Sequence, residues 1–285
     1  NYLLSILDDV GELVFTRKFT LYENIATVGV SASRSRNTKN MGEEQTVQFL
    51  VNYSQLQINN PSQEIHVAIL QNENWKTAIT KIQPQFYKPN QLVYKYPKKT
   101  NFWGGNEYLF FDNKNIRNAS VNIAKSERKE IYHNYLYPYV NRGLKSYTYN
   151  PDINGQFIVR NIEATNPKTE ADYAMMYFSL KVGQEVADKE VYVYGAFNNF
   201  SLTEENKMIF DPSTNYYNAN FLLKQGFYNY TFVTKSWDTI ISESEIRGNF
   251  SETENMYTVI VYHKAFGALF DRVIGVGTIQ FEGER

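Results

Sequence analysis

In "ADYAMMYFSLKV" (residues 171–182), Ala174, Met176, Phe178, Leu180 and Val182 recur at every second position. A helix would need apolar spacings of three and four, whereas period two places all five on one face of a strand. "YNANFLL" (217–223) repeats the pattern with Tyr217, Ala219, Phe221 and Leu223. In "FYNYTFV" (227–233), Tyr228, Tyr230 and Phe232 point one way while Asn229 and Thr231 point the other. Farther out, "YLLSIL-DDVG-ELVFTRKFTLY" (2–22) reads as a hairpin, its turn carrying Asp8, Asp9 and Gly11, residue types that tolerate tight-turn geometry. Short runs bounded by Asn, Gly, Pro and Asp recur at the spacing of a sandwich. No long capped amphipathic helix competes, and "SERKE" (126–130) has room for one turn. The fold class predicted is all-β, with tandem immunoglobulin-like or E-set-like β-sandwich domains.

Composition narrows the function. The chain has 285 residues, enough for about two domains. Residues 1–22 read as the end of a β domain begun upstream, 23–165 as a middle sandwich and 166–285 as a last one. The polar, proline-containing "EATNPKTEAD" (163–172) is the expected linker. Starting at Asn1 rather than at a methionine predicts a processed or partial polypeptide. Lys plus Arg (29) nearly cancels Asp plus Glu (30), a net charge of −1. The cationic surplus that displaces counterions from nucleic acid is therefore missing, and no nucleic-acid partner is expected. Cysteine is absent, which excludes disulfides, Cys-based zinc sites and thiol nucleophiles. No apolar run approaches the eighteen or so residues of a membrane-spanning helix, so no direct membrane span is expected. The aromatic load is heavy, with 23 Tyr and 19 Phe against 3 Trp, and Tyr suits faces that are apolar at one end and wet at the other.

Catalytic and metal patterns are missing. His66, His133 and His263 lie far apart in sequence and lack local ligand spacing. No G-x-S-x-G, H-E-x-x-H or G-x-x-x-x-G-K-[ST] occurs. "PDINGQF" (151–157) begins like a calcium loop but lacks the remaining ligands. Asn154-Gly155 is better read as a hairpin turn. The acidic "SESEIRGNFSETE" (242–254) reads as a polar edge or loop. We therefore predict no catalytic residue, no metal site and no cofactor. "NFWGGNEYLFFD" (101–112) admits two readings: a tight hairpin at Gly104-Gly105 with its aromatic ends in the core, or an exposed aromatic loop. The second would be an anchor of the kind that dominates protein–protein contacts.

"VYVYGAFNNF" (191–200) followed by "FLLKQGFYNYTF" (221–232) resembles the sandwich of glycogen- and starch-binding modules. That resemblance implies a carbohydrate face near Phe200 and Trp237. Phe200 stands where such modules carry a stacking Trp, and Trp237 lacks their "DG" lead-in.

A second resemblance covers almost the whole chain. "RKFTLYE" (17–23), "NPSQEIHVAILQNENWKTAI" (60–79), "QLVYKYP" (91–97), "FWGGNEYLFFD" (102–112), "YNPDINGQF" (149–157), "ADYAMMYFSL" (171–180), "LKQGFYNYTF" (223–232) and "SETENMYTVIVYHKAFGALFDRVIG" (251–275) occur in order. Together they resemble the plug-protein family of the type IX secretion system of Bacteroidota. The family commonly has an Arg where this chain has Leu109, after Tyr108. The resemblance implies a non-enzymatic periplasmic protein attached to the inner face of the outer membrane through its partner, the very large β-barrel translocon subunit whose mouth it seals. On that reading Trp103, Gly104, Gly105, Asn106 and Glu107 are the candidate partner interface. The alternatives are an envelope carbohydrate-binding protein, with Phe200 and Trp237 near the sugar face, and an accessory module of a polysaccharide-degrading enzyme.

Overall fold

The alternation at 171–182 becomes the strand Tyr173–Lys181, and Ala174, Met176, Phe178, Leu180 and Val182 are all buried. The computed structural model describes residues 2–238 and 241–283, and it is nearly all β. Its helices, among the described residues, are single turns of three or four residues. "SERKE" is not one of them: it lies mostly in the strand Ile123–Arg128, where pairing with Tyr132–Leu136 outweighs a weak local turn preference.

The described residues form two compact units. The first comprises the chain up to Met41, Gln45–Phe102 and Met256–Phe281; the second is Gly42–Glu44 and Trp103–Asn255, with the chain from Glu282 onward. The boundary expected between 165 and 166 is therefore wrong. Tyr173–Lys181 pairs in parallel with Tyr132–Leu136, so that boundary would cut through a sheet. "EATNPKTEAD" is a capped turn instead of a linker. The Asn166 side chain accepts from the Lys168 amide at 3.3 Å. The Glu170 carboxylate returns to the Asn166 amide at 2.8 Å, and the Asp172 amide donates to Gln225 at 2.8 Å. Both helix-end donors are thereby satisfied reciprocally.

In the first unit one sheet runs Thr27–Arg34, Glu44–Asn52, Gln91–Tyr94, Phe86–Lys88, with Asn101–Trp103 also on Glu44–Asn52. The other runs Arg272–Phe281, Asn255–His263, Ile65–Gln71, Asn74–Thr80. Val47, Phe49, Val51, Leu92 and Tyr94 of the first sheet share a core with Ile65, Ile69, Tyr257, Val259 and Val261 of the second. Burying each such side chain stabilises by about 1.5–3 kcal/mol. The hairpin Tyr2–Leu7 with Leu13–Phe19 forms as expected, its turn held by Asp8 Oδ1, which accepts from Val10 and Glu12 amides at 3.0 and 2.8 Å. It pairs with no other strand among the described residues.

The second unit is a single curled sheet. Its order is Leu109–Asp112, Gly226–Lys235, Glu190–Tyr194, Lys207–Asp211, Tyr216–Lys224, Tyr173–Lys181, Tyr132–Leu136, Ile123–Arg128. Curling brings Phe111, Tyr228, Tyr230 and Phe232 onto Met176, Phe178 and Tyr217 in one core. Phe178 meets Tyr230 edge-on at 5.2 Å and stacks on Phe221 at 4.8 Å. Gly226–Lys235 is buried on both faces, since Asn229 and Thr231 are as buried as the aromatic residues between them. That second face is polar, and it supports the site.

Candidate partner-contact site

The 101–112 string is not a hairpin. Asn101–Trp103 pairs with Glu44–Asn52 and Leu109–Asp112 with Gly226–Lys235, so the two ends belong to different sheets. Phe102, Tyr108 and Phe111 are buried, whereas Trp103 is 55% exposed. The residues between Trp103 and Leu109 are fixed by backbone contacts. A Cβ on Gly104 would lie 2.0 Å from the Phe250 carbonyl oxygen, and its amide donates to the Glu43 carbonyl at 2.7 Å. Gly105 sits at φ +67 and donates to Asn249 Oδ1 at 2.7 Å. Its carbonyl accepts from the Phe250 amide and from Thr253 Oγ1, both at 2.9 Å. Asn106 donates its side-chain amide to the Arg247 carbonyl at 2.5 Å. Asn255 donates to the Gly104 carbonyl at 2.9 Å. Of the five candidates Trp103 is exposed, Gly105 and Asn106 are half-buried, and Gly104 and Glu107 are buried. Gly104 and Glu107 therefore serve to hold the loop and have no surface to offer a partner.

Beneath the loop lies a cluster that the local sequence hides. Glu107 is 2% exposed. Its Oε1 accepts from the Tyr147 hydroxyl and from the Glu254 amide at 3.1 Å, while its Oε2 is buried without a partner. Burial pushes this carboxyl up to about 7, against the two hydrogen bonds and with the charges of Asp152 and Glu254 adding to the rise. Asp152 accepts from the Tyr108 amide and from the Asn154 amide at 2.6 Å; burial lifts it to about 6. Glu243 turns its carboxyl inward onto Thr231 Oγ1 at 3.2 Å and is likewise raised by burial, with Arg247 opposing. Arg247, 4% exposed, donates Nη1 to Thr231 Oγ1 at 3.1 Å and Nη2 to the Glu107 carbonyl. Its guanidinium lies over the Tyr139 ring, 5.7 Å from the centroid.

Thus "SESEIRGNFSETE" is not a solvated loop. Ile246, Arg247, Ser251 and Thr253 are buried in it. Asn154 and Gly155 both have positive φ, as a tight turn requires. Among the described residues the turn joins no paired strands, and it is pinned by Asn229 Oδ1, which accepts from the Ile153 and Gly155 amides at 2.6 and 3.2 Å. Among the described residues, no set of three His, Cys, Asp or Glu side chains could hold a metal ion. His133 Nδ1 meets the Tyr177 hydroxyl at 2.8 Å, and buried His263 faces Glu64 at 3.3 Å.

Of the two residues expected at a carbohydrate face, Phe200 offers no open ring. Phe200 is 5% exposed, and its positive φ turns the ring inward beside Tyr194, at 5.3 Å. Sugar stacking needs an open ring face, and this one is closed. Trp237 is 89% exposed after the strand Gly226–Lys235. On the outer sheet face Tyr135 and Tyr177 stack on each other at 4.3 Å. Lys125 covers one end of that pair and His133 the other. A surface cleft of about 410 Å³ beside Asn141, Gln184, Glu185, Lys189 and Glu245 has no aromatic lining.

No family model matches the chain, and no curated protein matches it. Among solved structures, the chain is similar to a hypothetical protein from Parabacteroides merdae at 29% sequence identity, with a TM-score of 0.89. The match spans 95% of this chain and 68% of that one, so nearly all of the architecture described above recurs in a protein of that bacterium.

Proposed function

We propose that the chain is a non-enzymatic plug that seals the periplasmic mouth of the large outer-membrane β-barrel translocon of the type IX secretion system. The observation that carries this reading is Trp103, a large aromatic held out by a loop whose other residues are bonded down to residues 247–255. A pre-ordered aromatic loses little freedom on binding, which is how interface anchors gain affinity. The ordered resemblance along the chain and the likeness to a protein of a Bacteroidota species support it. On this reading each unit is an immunoglobulin-like or E-set-like sandwich, the layers of the second supplied by its one curled sheet. The protein is periplasmic, tethered to the inner face of the outer membrane by its barrel partner. Occluding a pore wide enough for folded cargo needs a stiff body and one complementary face, and no catalytic group.

Two measurements test it. Tagged protein recovered from gently solubilised outer membranes is expected to bring a very large barrel with it. Recovery alone, with the barrel present in the same extract, would overturn the proposal. Trp103→Ala is expected to weaken barrel recovery by at least about tenfold, as for an interface anchor worth 1.4 kcal/mol or more. The melting temperature should stay nearly unchanged, because exposed substitutions rarely move stability beyond about 0.5 kcal/mol.

The exposure of Trp237 favours a second reading, an envelope carbohydrate-binding protein or an accessory module of a polysaccharide-degrading enzyme. With Phe200 buried, one ring is left for stacking. Calorimetry against soluble glucans is expected to show no binding; binding abolished by Trp237→Ala would establish the glycan reading instead.

A further inference from the structure

We infer that the inward-turned carboxyl groups of Glu107, Asp152 and Glu243 form a pH-dependent latch on the 103–107 loop, closed while they hold protons and loosened as they ionise. The inference deepens the partner-contact reading of that loop by giving it a control. Its physical content belongs to the chain alone.

Three carboxyl groups from three separate segments meet the same few residues of backbone. Asp152 accepts from the Tyr108 amide. Glu107 ties the loop to Tyr147 and to the Glu254 amide. A Cβ on Gly105 would stand 3.7 Å from Glu243 Oε2, so that carboxyl is packed against the turn itself. The groups facing this cluster are Arg247, the Tyr139, Tyr147 and Tyr230 hydroxyls, Thr231 and the Glu254 carboxylate, which also receives the Tyr149 hydroxyl at 3.3 Å. Arg247 is the one cation among them, and its guanidinium donates to Thr231 Oγ1 and to the Glu107 carbonyl. Nearby Lys189 pairs with Glu245 instead.

Ionising all three acids against one guanidinium leaves two uncompensated charges where water is scarce. Glu107 Oε2, already without a partner, would become a buried anion. Because burial raises these groups, the folded loop holds protons that the unfolded chain has released. The stabilisation is complete below the ordinary carboxylate range near 4. It is lost as pH climbs through about 6 for Asp152 and about 7 for Glu107.

Amide hydrogen exchange on the isolated 285-residue chain reads this directly. Between pH 5.5 and 7.5, corrected for the intrinsic rate, protection at Gly105–Tyr108 and Arg247–Asn255 is expected to fall by at least about tenfold, since each coupled proton changes it by that factor per pH unit. Glu107→Gln, which keeps shape and removes the charge, should abolish most of the fall. Asp152→Asn should remove part of the response. Equal protection in the wild type at both pH values would overturn the latch. So would an unchanged fall in Glu107→Gln, or an equal loss throughout Tyr173–Lys181. No barrel is present in this experiment, so a failed co-purification and a failed latch are separate results.

Discussion

Replacing Arg247 by Met is expected to lower the unfolding free energy by about 3–5 kcal/mol, the range seen when one partner is removed from a buried charged network. The methionine fills most of the volume and restores none of the hydrogen bonds. The Glu107 carbonyl and Thr231 lose a donor, and Asp152 and Glu243 lose the positive charge that opposes their rise. Those two acids therefore move further up, and the variant should suffer more at pH 8 than at pH 5. Urea midpoints at the two pH values check both size and sign. A midpoint unchanged from wild type at both would show that the guanidinium is not structurally required.

The second large effect is at Gly104. Here the obstacle is steric, because the added methyl of Gly104→Ala would overlap the Phe250 carbonyl oxygen, which belongs to backbone and cannot rotate aside. Relief requires the loop to lift, stretching the Gly104 amide bond to Glu43 and the Asn255 bond to the Gly104 carbonyl. Overpacking of about 1–3 kcal/mol plus two weakened hydrogen bonds of about 1 kcal/mol each gives a loss of about 3 kcal/mol or more. Gly29 supplies the contrast. It lies in the strand Thr27–Arg34 with nothing within 4 Å of a built Cβ. Gly29→Ala should stabilise by about 0.5 kcal/mol through loss of unfolded-chain freedom. Thermal unfolding of the pair should give shifts of opposite sign, and a matching sign would refute the steric account.

What could be read from the sequence was local. The faces of Tyr173–Lys181 and Tyr216–Lys224 follow from period two alone, and the Asp8–Gly11 turn from residue chemistry. Domain limits were not legible, because Asn255–His263 pairs with Ile65–Gln71 across nearly two hundred residues and nothing at either end encodes the other. The acid cluster was hidden for a related reason. Arg247 and Thr253 look like solvated residues until the 104–107 backbone supplies their partners, and Glu243 and Ser251 until Thr231 and Gly42 do. Phe200 shows the opposite failure, in which a motif suggested an exposed ring and the positive backbone angle at Asn199 and Phe200 turned it inside.

The division of the chain has a consequence for biosynthesis. Trp103–Asn255 is one uninterrupted stretch inserted into the first unit, whose Met256–Phe281 part supplies an interior strand and its neighbour. A chain that appears from its N-terminus onward can complete the inserted unit while Ile65–Gln71 still presents a bare edge. That edge waits about 185 residues for its mate, from Gln71 to Tyr257. During that interval it is a template for unwanted strand addition. A holding chaperone should therefore act on this protein before Met256 is made, and a nonsense mutation there should yield aggregate even though every residue of the inserted unit is intact.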